Sequence, residues 1–186
     1  MNTNHVTEAA VATYRVDPAH SSVRFKVRHL GFSKVTGRFG TFDASVRLDP
    51  DDLTTLEADA TIDAASISTG DEKRDAHLRS EDFFEAETYP ELTFRSTGVR
   101  TVRGDDFELE GELTMHGVTK PVVLAGTFLG TARDPWGGSR VGFEAQTTIN
   151  RKDFGLNWNS VLETGGVLVG EDVEIVLDVQ AVEQDA

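Results

Sequence analysis

Histidines are the side chains in this sequence best suited to chemistry near neutral pH, and there are five: His5, His20, His29, His77 and His116. An imidazole can act as a general base or bind a transition metal. No two of the five have the spacing of a metal motif, and the chain has no cysteine to supply a thiolate. We therefore predict no metal, no cofactor and no catalytic residue, and we expect buried histidines to bond backbone groups where strands end.

Sequence signatures of known catalytic sites are also missing. The chain contains no GxSxG, no HExxH, no phosphate-binding glycine loop and no EF-hand pattern. An enzyme that uses His29 or His77 as a base, assisted by a nearby carboxylate, is the alternative to a binding protein.

Cationic side chains cluster in the one stretch that predicts an α-helix, residues 71–82. Asp71 can accept hydrogen bonds from the first free backbone N–H groups, so it is the expected N-cap. Lys73, Arg74 and Arg79 follow on the helix. A solvated face is the simpler interpretation of these cations, and contact with the polar or anionic head of a ligand is the alternative.

The remainder of the chain alternates apolar and polar residues with a period of two, which is typical of half-buried strands. Phe25 and Val27, for example, face away from Arg24 and Lys26. About eight such strands, joined by hairpin-length turns, predict an all-β fold with an eight-stranded antiparallel barrel. Residues 120–129 are apolar on both faces, so their register stays open.

The inward rows of this barrel mix large and small side chains. Four phenylalanines alternate with residues too small to meet across the lumen: Phe25, Phe42, Phe94 and Phe143 against Ala44, Ala58, Ala60, Gly111 and Ala145. Large residues on one wall can fill the space opposite small ones, which would give a filled barrel with a structural or interaction role. The alternative is a cavity that is apolar along its length and suits a linear apolar ligand.

Composition limits the partners and the location. The 18 basic and 32 acidic residues give a net charge of −14, which argues against nucleic acid or an anionic membrane surface as the partner. The N-terminal residues lack a signal-peptide pattern, and no stretch is long enough for an integral membrane segment, so we predict a cytoplasmic protein.

We predict a flexible arm over residues 1–12 and a single domain over 13–182. An exposed edge or apolar patch on residues 122–129 leaves a homodimer open.

Five sequence segments, in this order along the chain, together resemble the YceI family. They cover about residues 13–182 and read Asp17-Pro-Ala-His20-Ser21 leading to His29, Arg74-Asp75-Ala-His77-Leu78, Phe83-Phe84 with Tyr89-Pro90-Glu-Leu-Thr-Phe94, the segment GELTMHGVTKP over 111–121, and RKDFGL over 151–156.

The resemblance implies a lipocalin-like barrel whose helix covers one region. It also implies binding, for storage, transport or sequestration, of a polyisoprenoid or similar long-chain amphiphile, such as one with a quinone-type tail. A structural role for Arg74 and Asp75, tying the helix to the wall, is an alternative to ligand contact. The expected ligand-binding residues are Phe25, Val27, His29, Phe42, Arg74, His77, Phe83, Phe84, Phe94, Leu113, Met115, Phe143, Phe154 and Trp158.

Overall fold

A computed structural model describes residues 10–185, which form eleven β-strands and one short α-helix. The helix is α1 (Glu72–Arg79). The strands are β1 (Ala12–Val16), β2 (Ser22–His29), β3 (Ser33–Phe39), β4 (Phe42–Asp49), β5 (Asp52–Asp63), β6 (Ile67–Ser68), β7 (Glu91–Arg103), β8 (Asp106–Met115), β9 (Val118–Arg133), β10 (Ser139–Asn150) and β11 (Val169–Glu183). Residues 1–9 of the predicted arm lie outside the described residues, and Ala12 at its end begins β1.

Strand β1 closes the sheet into a barrel because it pairs with β4 on one side and with β11 on the other. The closed ring runs β1-β4-β5-β7-β8-β9-β10-β11, with every pair antiparallel. Strands β2, β3 and β6 extend β1, β4 and β5 beyond short breaks. The predicted eight-stranded antiparallel barrel is therefore confirmed, with three of its eight strands interrupted.

The break between β1 and β2 follows from local sequence. Pro18 has no N–H to donate to a strand ladder, and it begins a 3-10 turn, Pro18–His20. The Asp17 carboxylate caps this turn by accepting a hydrogen bond of 3.1 Å from Ala19 N.

Pairing with β8 settles the register of residues 120–129. Val122 lies opposite Gly111 and Leu124 opposite Leu109, so both side chains face the interior. A register shift against β10 then leaves Leu129 pointing outward, 58% exposed. Strand β9 lies between β8 and β10, so the exposed edge expected there is absent and Leu129 is the exposed large apolar side chain of this stretch.

One end of the barrel, here called the filled end, is closed by its own side chains. The ring centroid of Phe143 lies 5.3 Å from that of Phe128 and 6.1 Å from that of Phe107. Leu48 and Ala181 beside this cluster are fully buried. No lumen therefore passes through this end.

An ion-pair network fixes the outer rim of the filled end. Arg140 Nη1 donates to Asp17 Oδ2 at 2.8 Å, and Arg140 Nε donates to Asp134 Oδ2 at 3.0 Å. Hydrogen bonds from Arg140, and then from His20 at 2.8 Å, lower the pKa of Asp17 to about 2. His20 thus supports a turn through a carboxylate rather than through the backbone group expected.

Helix α1 begins where the sequence predicted, because Asp71 Oδ1 accepts a hydrogen bond of 3.0 Å from Arg74 N. It ends at Arg79 rather than at residue 82. Both the N–H and the hydroxyl of Ser80 bond His77 O, at 3.1 and 2.7 Å, and take the place of the next helical turn.

Three glycines on the inner wall let aromatic rings lie directly on the backbone. A Cβ at Gly37 would stand 2.2 Å from the Phe25 ring, and a Cβ at Gly111 would stand 2.4 Å from the Phe94 ring. At Gly126 the corresponding distance to a phenylalanine ring is 2.3 Å. The rings of Phe25 and Phe94 therefore lie against the backbone of the cavity wall, and the third ring, Phe107, does so at the filled end.

We expect Gly111→Ala to lower the free energy of unfolding by about 2 kcal/mol, because the new Cβ would also meet Arg95 O at 2.7 Å and this backbone atom cannot move aside. Urea denaturation measures the difference. Gly98→Ala is the matched control, since Gly98 lies exposed on β7 with nothing within 4 Å of a Cβ. Equal losses in the two variants would contradict the close packing of Phe94 on Gly111.

Candidate ligand-binding site

A cavity of about 210 Å³ lies between the filled end and the helix. Ala44 and Ala60 face each other in neighbouring strands of its wall, where larger residues would fill the space. Nearly all of its lining is apolar. The lining side chains come from strands around the barrel and from the helix with the segment after it. They include Phe25, Val27, Phe42, Ile62, Leu78, Phe83, Phe84, Leu92, Phe94, Leu113, Met115, Val122, Leu124, Ile149, Val173 and Ile175.

A second space, here called the vestibule, continues this cavity towards solvent. It measures about 410 Å³ and shares Phe25, Val27, Leu78, Phe83 and Val169 with the cavity wall. Its other lining side chains are largely polar or aromatic and include His29, Thr69, Asp71, Lys73, Arg74, His77 and Trp158. The two spaces therefore share one wall, and their lining changes from apolar in the cavity to partly polar in the vestibule.

Arg74 and Asp75 connect the helix to the strand that precedes it. Arg74 Nε donates to Thr69 Oγ1 at 2.7 Å, and Arg74 Nη2 donates to Thr69 O at 3.0 Å. The buried Asp75 carboxylate accepts from Thr69 N at 2.8 Å and from Thr69 Oγ1 at 2.6 Å. This network holds the helix at the wall, which is the structural alternative considered for this pair.

His77 joins the helix to the opposite side of the vestibule. Its ring packs edge-on against Trp158, at a centroid distance of 4.7 Å, and against Phe83, at 5.1 Å. Its Nε2 lies 2.8 Å from Asp82 Oδ2. A histidine beside a carboxylate is an arrangement that can act as a general base. Here the His77 ring also fixes the position of the Trp158 indole.

Comparison with known proteins identifies the family. The model of the YceI-like domain matches residues 14–181. The chain belongs to the YceI family. It is 38% identical to protein YceI of Escherichia coli over 178 residues, which covers 95% of this chain and 90% of that protein.

Two solved structures resemble this YceI-family chain. BcnA of Burkholderia cenocepacia is 28% identical, with a TM-score of 0.76, and the match covers 89% of this chain and 98% of that one. A polyisoprenoid binding domain from Saccharophagus degradans, implicated in plant cell wall breakdown, is 19% identical, with a TM-score of 0.67, and covers 93% and 99%. The lipocalin-like YceI barrel is thus the fold of this chain.

Most of the fourteen predicted ligand-binding residues of this YceI barrel lie around the cavity or the vestibule, and their contact with a ligand stays a prediction. Two of them lie elsewhere. Phe143 packs in the filled end, because its strand position is one layer below the cavity. Phe154 is 2% exposed and is the last residue of the 3-10 turn Arg151–Phe154, which places its ring in the core rather than in the cavity lining.

Arg151 is the cavity residue that sequence patterns missed. It is 3% exposed, and burial lowers the pKa of its guanidinium from the ordinary value. It donates to four backbone carbonyls, two in the segment after β10 and two at the start of β11: Leu156 O at 2.6 Å, Trp158 O at 2.9 Å, Gly170 O at 2.8 Å and Val169 O at 3.4 Å. Residues 155–168 have almost no strand pairing of their own, so Arg151, together with Asn159, which bonds Val169 N and Val169 O, fixes their path beside the vestibule.

His116 has the backbone role expected of a histidine at a strand end. Its Nδ1 lies 3.1 Å from Phe154 O, and because a carbonyl can only accept, Nδ1 carries the proton. The buried Nε2 lies 3.6 Å from Glu85 Oε2, and the Tyr89 ring packs at 4.9 Å. His5 lies outside the described residues.

Among residues 10–185, no three histidine, cysteine, aspartate or glutamate side chains come together in a way that would hold a metal ion. No helix in the same range is long and apolar enough to cross a membrane.

We expect Arg151→Met to lower the free energy of unfolding by about 3 kcal/mol, because several buried carbonyls lose their donor at once. Urea denaturation at neutral pH measures this. The control is Lys152→Met at the next position, where an exposed ion pair of 2.6 Å with Glu171 contributes about 0–1 kcal/mol. A loss in Arg151→Met no larger than that of the control would show that the carbonyls do not depend on Arg151.

Proposed function

We propose that this YceI-family barrel binds a polyisoprenoid or a comparably slender long-chain amphiphile, with the tail in the cavity and the head in the vestibule. The observation that carries the proposal is an apolar cavity that shares a wall with a partly polar vestibule. The description of the Saccharophagus degradans neighbour as a polyisoprenoid binding domain supports the same class of ligand. Storage, transport or sequestration, a quinone-type tail and a cytoplasmic location stay predictions.

The size of the cavity favours a chain over a bulky ring system. About 210 Å³ is below the roughly 300–1,000 Å³ of pockets that enclose drug-sized molecules. The rings of Phe25 and Phe94 contact glycines of the wall, so they take up less of the lumen than rings held away from the wall by a side chain would. Such a space accommodates a methyl-branched chain one carbon wide.

Apolar burial is the driving force, and its magnitude sets a minimum length. Each buried CH2 group contributes about 0.8 kcal/mol, so an isoprene unit of five carbons contributes roughly 4 kcal/mol. Association itself costs at least about 4 kcal/mol in lost translational and rotational freedom. The burial of a single unit would only offset the cost of association, so stable binding requires at least two units inside the barrel.

The vestibule offers the head both charge and hydrogen-bonding groups. Arg28, Lys73 and Arg74 bring three cations to its lining against one carboxylate, Asp71, in a chain of net charge −14. Thr69 engages the Arg74 guanidinium and Asp82 engages the His77 imidazole, so Lys73 and the His29 imidazole are the groups freest to meet a head.

The enzyme alternative depends on one observation, the 2.8 Å contact between His77 Nε2 and Asp82 Oδ2 beside the vestibule. Binding and catalysis differ in what happens to the ligand. A binding protein returns an extracted lipid chemically unchanged after prolonged incubation, whereas an enzyme returns a product whose formation stops in His77→Gln.

We expect Ala60→Phe to abolish co-purification of lipid, because the new ring would occupy the cavity opposite Ala44. Native mass spectrometry of the protein purified from cells, followed by organic extraction, measures occupancy. Ala125→Phe introduces the same side chain on the exposed outer face of β9 and is the control. Full occupancy in a folded Ala60→Phe variant, with its thermal transition preserved, would exclude this cavity as the tail site.

Tryptophan fluorescence can report the vestibule separately, because the two tryptophans lie at opposite ends of the barrel. Trp158 lines the vestibule, and Trp136, 87% exposed, lies in the β9–β10 turn at the filled end. In Trp136→Phe, addition of geranylgeraniol should shift the emission of Trp158 to shorter wavelength as the ligand excludes water. In Trp158→Phe the emission of Trp136 should stay unchanged, and equal responses would place the ligand elsewhere.

A further inference from the structure

The ligand class proposed above raises the question of where the protein meets its ligand. A chain of several isoprene units has little solubility in water, so its source and its destination are bilayers. This inference rests on the proposed function, and it concerns the surface around the vestibule rather than the cavity.

Four exposed apolar side chains, here called the lip, occupy two neighbouring loops at the vestibule end. They are Leu30 and Phe32 in the β2–β3 turn, and Val161 and Val167 in the loop before β11. Phe32 is 75% exposed and Val161 is 82% exposed, so almost nothing packs over either side chain. Exposed apolar groups collected at one place usually mark an interaction site.

The two loops are fixed side by side. Leu30 N donates to Leu168 O at 2.9 Å, which ties the first loop to the second. Val161 and Val167 form a β-bridge, and Leu162 N donates to Gly166 O at 3.1 Å below the tip. The lip is therefore a built feature of the barrel end rather than an unstructured tail.

The lip is continuous with the vestibule. His29 directly precedes Leu30, and Leu168 and Val169 directly follow Val167, and all three of these neighbours line the vestibule. A chain leaving a bilayer at the lip would pass to the vestibule and then to the cavity without crossing open water.

The charge next to the lip differs from that of the whole chain. Residues 26–34 carry Lys26, Arg28 and Lys34 and no carboxylate, although the net charge of the chain is −14. Glu174 pairs with both lysines, at 3.8 and 3.5 Å, and Glu163 lies in the second lip loop, so three cations against two carboxylates leave the lip region with a net charge of +1. Because charges further than about 8 Å are screened at physiological ionic strength, a surface that contacts the lip responds to these cations.

We propose that the lip is a docking surface for a phospholipid bilayer, with Phe32 and Val161 inserted into the interfacial region and the hairpin cations at the head-group level. Side chains this exposed, on two tips, offer little flat area to a second protein copy, whereas a fluid interface needs no complementary shape. Apolar insertion drives the contact, and the cations permit it on anionic lipid despite the net charge.

The test compares flotation of the full-length protein with vesicles of phosphatidylcholine alone and of phosphatidylcholine mixed with phosphatidylglycerol. Combined F32S and V161S should weaken vesicle binding by about tenfold or more, because two apolar side chains are lost from the interface. The control is combined L129S and W136S, which removes two exposed apolar side chains remote from the vestibule and should leave flotation unchanged.

A second measurement separates docking from ligand binding. Geranylgeraniol delivered from cyclodextrin bypasses the bilayer, so the lip variant should bind it as the unaltered protein does, while its transfer of a fluorescent isoprenoid between vesicles slows. Equal flotation of the lip variant and the unaltered protein would overturn the docking proposal, as would a dimer in sedimentation that the lip substitutions dissociate. Failure of the unaltered protein to bind geranylgeraniol from cyclodextrin would instead overturn the proposed function.

Discussion

The pairing of β1 with two strands at once is the constraint on which the rest of this structure depends. Because β4 and β11 both bond to β1, the sheet has no free edge in its ring of eight, and each inward side chain must share one enclosed space. The size of each inward residue then decides whether that space is filled or empty. In a closed ring of strands, the inward side chains therefore surround one interior space.

The two ends of the barrel differ in the size of the side chains that face the interior. Near the β8 start, the ring of Phe143 packs against the rings of Phe107 and Phe128 on the neighbouring strands, and buried residues of β1, β4 and β5 complete a filled cluster. Further towards the helix, Ala44 on β4 and Ala60 on β5 face the interior instead and leave space for the cavity. The filled end contributes the dense apolar packing that stabilises the barrel, which allows the other end to remain hollow.

Local signals in the sequence predicted what depends on nearest neighbours, and they failed where a distant partner decides. Alternation was sufficient for the eight strands, and Asp71 for the start of the helix, because both follow from residues close in the chain. The register of β9 needed its pairing with β8. Phe143 and Phe94 look alike in sequence, and only their height in the barrel separates core from cavity wall. Arg151 carries no local signal, since its acceptors follow from the path of a loop.

The end that opens to solvent is held by polar contacts rather than by strand pairing. Arg151 joins the segment after β10 to the start of β11 through four carbonyls, and Arg74 with Asp75 holds the helix through Thr69. Contacts of this kind can separate one segment at a time, whereas a β-ladder opens cooperatively, and regions that move to admit ligands belong to the less stable parts of a fold. Separation of helix α1 or of the segment after β10 would therefore leave the pairing of the ring of eight strands intact.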